Sequence, residues 1–206
     1  MEKRDNYAAQ SAIARKLFLG YDQAQLIQKL NLIFDETWLY TSFFNIPYRI
    51  HRATGDMERQ EGGSWVSANG FNEVLTLLDL ICDSKEDRHL SGKLKNMLDF
   101  GSQFHQNLLE TSRDPFAETI QANPEAFAKA CLAMGGKERK GADLGFDIPV
   151  FEDLCVTILF WEGDEDFAPR VRYLWDENAL EYLKYETMYY AVGYLKGRLE
   201  KLAAGL

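Results

Sequence analysis

The feature that most constrains the fold of this chain is the nearly continuous apolar run at residues 154–161. A short run rich in Val, Ile and Phe is typical of a strand that is covered on both faces. It is far shorter than the roughly 20 apolar residues that span a bilayer. Residues 171–175 alternate in polarity, so we expect them to form a second strand that pairs with the first.

A second group of strands is predicted nearer the N-terminus. Aromatic and β-branched residues dominate two stretches there, and a third stretch follows them; these residue types favour extended backbone. Thr54, Gly55 and Asp56 supply a turn between the second stretch and the third. We therefore predict strands at residues 38–44, 47–52 and 57–60.

Helical spacing of apolar residues predicts the remaining elements. Asp22 can cap a helix that follows it, and Asp114 and Asn123 each precede a proline in the way that starts a helix. The paired Gly135 and Gly136 can end the second of those two helices. The helices predicted are 7–19, one from Asp22, 71–82, 93–110, two short ones after Asp114 and Asn123, and 185–203.

The order of these elements predicts the fold class. Helices at both ends surround two separated strand groups, which is an α+β order and not an alternating βαβ order. We therefore predict one α+β domain over residues 1–206, in which a mostly antiparallel sheet is covered by helices. The N-terminal helices would occupy residues 5–34. A chain of this length can bury a large core without a stabilising metal or disulfide.

The charge balance limits the partners of the protein. The chain has 23 Lys and Arg against 32 Asp and Glu, a net charge of −9. Such a chain lacks the basic character on which binding to nucleic acid or to an anionic membrane depends. The first residues carry charges but no apolar stretch of a secretory signal, so we expect a cytoplasmic protein.

The cysteines and histidines do not form a metal motif. Cys82, Cys131 and Cys155 are widely separated, and an odd count without a CxxC pair argues against disulfides, zinc and an intrinsic iron–sulfur site. Buried, reduced thiols are the expected state. The three histidines have no ligand spacing, so the cofactor remains unknown from sequence.

The densest polar feature directly follows the apolar run. Four carboxylates fall within five positions, at Glu162, Asp164, Glu165 and Asp166, and Trp161 precedes them. Such groups stay in water, share a proton or bind a cation. Asp164 and Asp166 could hold Mg²⁺ or Mn²⁺ if the backbone is extended. The alternative is a solvated acidic turn that ends a buried strand.

A basic glycine loop is the second candidate. Lys137, Arg139 and Lys140 lie between Gly136 and Gly141, and cations beside bare backbone N–H groups suit an anionic ligand. A flexible surface loop is the alternative. The tryptophans, including Trp161 and Trp175, could line an aromatic pocket, although rings on strands more often fill a core.

Several segments together resemble a known family. They are the block at 160–167, Leu174-Trp175-Asp176, Tyr182-Leu183 with Glu186, Phe44-Asn45 with 48–50, Gly135-Gly136, and 141–143 ahead of 148–150. The chain resembles, over about residues 35–200, the bacterial and archaeal domain of unknown function 3786. Ala168 and Lys184 stand where that pattern commonly has proline. The resemblance implies a fold unit in the cytoplasm of anaerobes and no established activity.

These observations leave three functions open. The first is a non-catalytic small-ligand-binding or accessory protein, in which an acidic rim formed by the four carboxylates lies beside an aromatic cleft, with Trp161 and Trp175 as its candidate ligand-binding rings. The second is a metal-dependent transferase or hydrolase that uses Asp164 and Asp166, with Lys137 or Arg139 meeting an anionic substrate. The third is an oligomerisation module that uses the last helix.

Overall fold

The computed structural model describes residues 6–101 and 114–205, which divide into two compact units. Of the described residues, 6–88 and 180–191 belong to the first unit, and 89–101, 114–179 and 192–205 belong to the second. Each unit contains one five-stranded antiparallel sheet.

The first unit has three helices and a meander sheet in its N-terminal part. Its strands pair in sequence order, each antiparallel to the next. The elements are α1 Asn6–Gly20, α2 Gln23–Leu30, β1 Ile33–Phe34, β2 Trp38–Phe43, β3 Ile46–His51, β4 Met57–Glu61, β5 Ser64–Ser67 and α3 Phe71–Asp83.

One face of the first sheet forms the core of its unit. Leu39, Ile50 and Met57 are cross-strand partners and are buried. Helix α1 packs against α3 and buries Phe18. Its apolar residues Ile13 and Leu17 are 58% and 63% exposed, so the spacing that predicted α1 does not mark its buried face.

The second unit has a sheet whose strand order differs from the sequence order. The order is β6-β10-β9-β8-β7, and all pairings are antiparallel. The elements are β6 Leu94–Asn96, α4 Pro115–Ala122, α5 Pro124–Ala133, β7 Lys137–Glu138, β8 Leu144–Phe151, β9 Leu154–Trp161 and β10 Arg170–Asp176. Helix α6, Tyr185–Ala204, contributes residues to both units.

The two faces of the second sheet differ in burial. Val156, Ile158, Phe160, Tyr173 and Trp175 share the inner face and are buried, and α4 and α5 contact this sheet. The intervening residues share the other face, which we call the outer face. On it lie Cys155, Leu159, Trp161, Arg170, Arg172 and Leu174, all at least partly exposed.

The α+β class and the antiparallel pairing are confirmed, and the strands fall into two sheets. The predicted caps are also confirmed. Asp22, Asp114 and Asn123 each accept backbone N–H groups at a helix start. Gly135 has a φ of 79°, the left-handed conformation that suits glycine after a helix. The single-domain organisation stays a prediction.

Three local predictions are wrong. The helix at 93–110 is instead strand β6 followed by a 3-10 turn, Met97–Phe100, because the edge of β10 takes the backbone of β6 as its partner. The rest of that helix lies outside the described residues. The basic glycine loop between Gly136 and Gly141 contains β7, which pairs with the unpredicted strand β8. The prediction that β9 is covered on both faces is also wrong, because only its inner face is fully buried.

A buried carboxylate fixes the connection into β6. Asp176 is 5% exposed, and its oxygens accept N–H groups from Ser91 at 3.0 Å, Gly92 at 2.7 Å and Asn178 at 2.9 Å. Burial raises the pKa of Asp176, but the three backbone donors outweigh it, so the net pKa is lowered.

We predict that Asp176→Asn lowers the free energy of unfolding by about 2 kcal/mol at neutral pH, because the amide leaves buried N–H donors without a charged acceptor. Since the folded pKa lies below the unfolded value of about 3.9, the difference should be complete above that pH and disappear as pH falls through the folded pKa. Urea unfolding at several pH values tests this, with Asp166→Asn as the exposed control. Equal loss in both variants would contradict it.

Candidate functional site

The acidic segment forms the loop that joins β9 to β10. Glu162, Asp164, Glu165 and Asp166 are all exposed. Trp161, the last residue of β9, lies opposite Arg170 on the outer face and is partly buried. The loop therefore extends from the end of the sheet into solvent.

Hydrogen bonds hold this loop in one conformation. The Oδ1 atom of Asp164 accepts N–H groups from Asp166 at 2.9 Å and Phe167 at 2.8 Å. Asp143 accepts the N–H of Glu162 at 2.8 Å, and the Gln121 side chain accepts that of Gly163 at 2.9 Å. The Asp164 carboxylate thus stabilises its own turn, as an Asx turn does.

Trp175 lies elsewhere. It is fully buried on the inner face, opposite Val156, whereas Trp161 is on the outer face. Side chains on alternating positions of a strand point to opposite faces. The two rings therefore do not line one cleft, and the expected cleft between Trp161 and Trp175 is not formed.

The predicted anion-binding residues lie at the edge of the same sheet that β7 forms. Lys137, Arg139 and Lys140 are exposed, in β7 and just after it. Arg139 Nε donates to Asp147 Oδ1 at 2.7 Å, and Thr157 donates to the same oxygen at 2.5 Å. That hydrogen bond to Asp147 raises the pKa of Arg139. Arg139 is therefore already paired.

Sequence reasoning missed two arginines of the outer face. The guanidinium carbons of Arg170 and Arg172 lie 4.7 Å and 5.7 Å from the centroid of the Trp161 ring. Both side chains are exposed, and neither has a carboxylate within ion-pair distance among the residues that the structure describes. The alternation Arg-Val-Arg at the start of β10 indicates that both arginines lie on one face of that strand. The pairing of β10 with β9 then places them on the same face as Trp161.

Cross-strand register sets the distance between these cations and Arg139. Arg172, Leu159 and Gly145 are successive partners across three strands, and the N–H of Arg139 donates to the Gly145 oxygen. Strands lie about 4.8 Å apart, so about 14 Å of sheet separates the backbones of Arg172 and Arg139. We call the group Leu159, Trp161, Arg170 and Arg172 the Trp161 face.

The thiols are held in their protonated form. Burial raises the pKa of Cys82 to about 12 and also raises the pKa values of Cys131 and Cys155. A thiolate is the reactive form of cysteine, so these environments disfavour nucleophilic chemistry at all three positions.

Other features lie away from the Trp161 face. No group of three or more His, Cys, Asp or Glu side chains that could hold a metal ion occurs within residues 6–101 and 114–205. A groove on α1 and the residues after it is lined by Ile13, Lys16, Leu17, Gly20, Tyr21 and Asp22, none of them a predicted site residue. No helix in the described part of the chain is long and apolar enough to span a membrane.

A second aromatic cluster lies on the first sheet. The Arg49 guanidinium carbon is 4.1 Å from the centroid of Trp38 and 4.6 Å from that of Trp65, and Arg49 also forms an ion pair with Glu58. Because Arg49 already pairs with the carboxylate of Glu58, we assign this cluster a structural role.

The fold and the outer face define an antiparallel α+β protein in which two exposed arginines lie against a partly buried tryptophan. Residues 22–198 match the family described as Domain of unknown function (DUF3786). The match spans most of the chain, so the chain belongs to this family, as the sequence blocks predicted. No curated protein and no solved structure matches the chain.

We predict that Asp164→Ala lowers the free energy of unfolding by about 1 kcal/mol, because two N–H groups of the turn lose their acceptor. Asp166→Ala removes the same charge from the same loop, and the Asp166 side chain accepts none of these N–H groups. It should change stability by less than about 0.5 kcal/mol. Urea denaturation of both variants measures the difference, and a larger effect at Asp166 would show that loop charge outweighs the turn.

Proposed function

We propose that this protein is a non-catalytic small-ligand-binding or accessory protein, and that its ligand contacts the Trp161 face. The observation that carries the proposal is the pair of exposed arginines, Arg170 and Arg172, held against Trp161 without carboxylate partners among the described residues. Each arginine keeps its N–H donors available for a ligand. We also propose that the protein is cytoplasmic.

The hydrogen bonds of the adjoining loop support this proposal. The side chains of Asp143, Gln121 and Asp164 accept backbone N–H groups between Trp161 and Arg170 and so stabilise the conformation of the loop. A surface that is held in its binding conformation before the ligand arrives loses less conformational entropy on binding. The exposed carboxylates of the loop then form an acidic rim beside this face.

The alternatives have less support. A metal-dependent reaction at Asp164 and Asp166 would need oxygens that converge on an ion, but one Asp164 oxygen already accepts two N–H groups. An oligomerisation module would need an exposed apolar patch on α6. The apolar residues of that helix are mainly internal, with Met188, Val192, Leu195 and Leu199 all buried.

A melting-temperature screen tests the proposal. The panel should cover sugars, amino acids, organic acids, nucleotides and phosphate esters, because a ligand that binds only the folded state stabilises it by about 2.7 kcal/mol at 100 times its Kd. We expect at least one class to raise Tm in the wild type. The rise should be lost in the double variant Arg170→Gln/Arg172→Gln.

Lys129→Gln provides the control, because Lys129 is an exposed cation on helix α5 of the same unit and lies off the sheet. It should keep the full ligand-induced rise. A ligand that stabilises the double variant as much as the wild type would place binding elsewhere. A panel without any effect would argue against a small-ligand-binding protein.

A further inference from the structure

We propose that the Trp161 face binds the phosphate group of a phosphorylated small molecule, with Arg170 and Arg172 as its anchors. This inference rests on the ligand site proposed above and assigns its chemical class. Arg139 is not part of this site, because its side chain already donates a hydrogen bond to Asp147. The site is therefore the Trp161 face alone.

The contacts with Trp161 leave the N–H donors of both arginines without a hydrogen-bond or ion-pair partner among the described residues. A cation over an aromatic ring is attracted to the ring electrostatically, and this attraction uses no hydrogen-bond acceptor. Arg170 and Arg172 each make such a contact with Trp161. Contact with the ring therefore restricts the motion of the two side chains. Their N–H donors remain available to a ligand that approaches from solvent.

The number and spacing of the cations favour phosphate over carboxylate. Arg170 and Arg172 are two positions apart on one strand and one face, so their backbones lie about 7 Å apart. Long side chains can converge from that separation on one group. A phosphate monoester carries close to two negative charges and three acceptor oxygens, which match two guanidiniums. A carboxylate occupies only one of them in a bidentate pair.

The acidic loop limits what this face accepts. Glu162, Asp164, Glu165 and Asp166 lie in the loop that leads into Arg170 and repel anions that extend over the loop. A long polyanion such as nucleic acid would meet these carboxylates along its length, whereas a compact monoester need contact only the arginines. The loop thus lowers affinity for phosphate and selects small ligands. Removing its charges should strengthen binding.

The test is an NMR titration of the full chain with sodium phosphate at constant ionic strength, with sodium acetate as the parallel titrant. We expect phosphate to shift the amide resonances of residues 159–172 in the wild type. Acetate should bind at least about fivefold more weakly. Arg170→Gln/Arg172→Gln should weaken phosphate binding by about tenfold or more, because charge-assisted hydrogen bonds are lost.

Two further variants separate geometry from charge. Arg170→Lys/Arg172→Lys keeps both charges but not the planar fork, so phosphate affinity should still fall by about threefold or more. Glu165→Gln/Asp166→Asn should raise it, by about twofold or more, as repulsion is removed. Lys129→Gln should change affinity by less than about twofold. Well-dispersed spectra confirm that each variant is folded.

The outcomes distinguish this inference from the proposed function. Phosphate and acetate binding equally, or lysine variants that retain full affinity, would overturn the assignment to phosphate. If neither anion shifts residues 159–172 but a compound of the screen that contains no phosphate does, the phosphate class is wrong and the Trp161 face remains the ligand site. If no compound shifts these residues, both proposals fail.

Discussion

The pairing of β9 with β10 is the constraint on which the second unit depends. Six registered pairs, from Arg170 opposite Trp161 to Trp175 opposite Val156, place alternate residues on alternate faces. A shift by one residue in β10 would bring Tyr173 and Trp175 to the outer face and send Arg170 and Arg172 into the core, where unpaired charge is very costly. The same register therefore secures the apolar core and presents the arginines.

The loop beyond this pairing is stabilised by polar contacts instead of burial. Its carboxylates remain in water, but Asp164 satisfies two N–H groups of the turn, and Asp143 and Gln121 satisfy two more. Backbone groups at the end of a sheet need such partners once the ladder stops. An acidic sequence thus acts first as a structural cap, and its charge has a secondary effect on the neighbouring face.

Local signals in the sequence identify the elements that form through local interactions. The caps at Asp22, Asp114 and Asn123 and the strand β9 could be predicted because each depends on a few adjacent residues. Strands β6 and β8 could not, because pairing with β10 and β9 determines them. Likewise the sequence could not separate Trp161 from Trp175, since residue type does not reveal which face of a sheet a ring occupies.

Net charge is a property of the whole chain, while recognition depends on one face. A charge of −9 argues against wrapping a polyanion, yet strand alternation gathers Arg170 and Arg172 on a single surface and leaves the carboxylates in the adjoining loop. At physiological salt the screening length is about 8 Å, so charges on distant parts of the protein scarcely reach this face. What a ligand meets there is set by the two guanidiniums, the Trp161 ring and the nearest carboxylates. An acidic protein can therefore contain a site that selects a small anion.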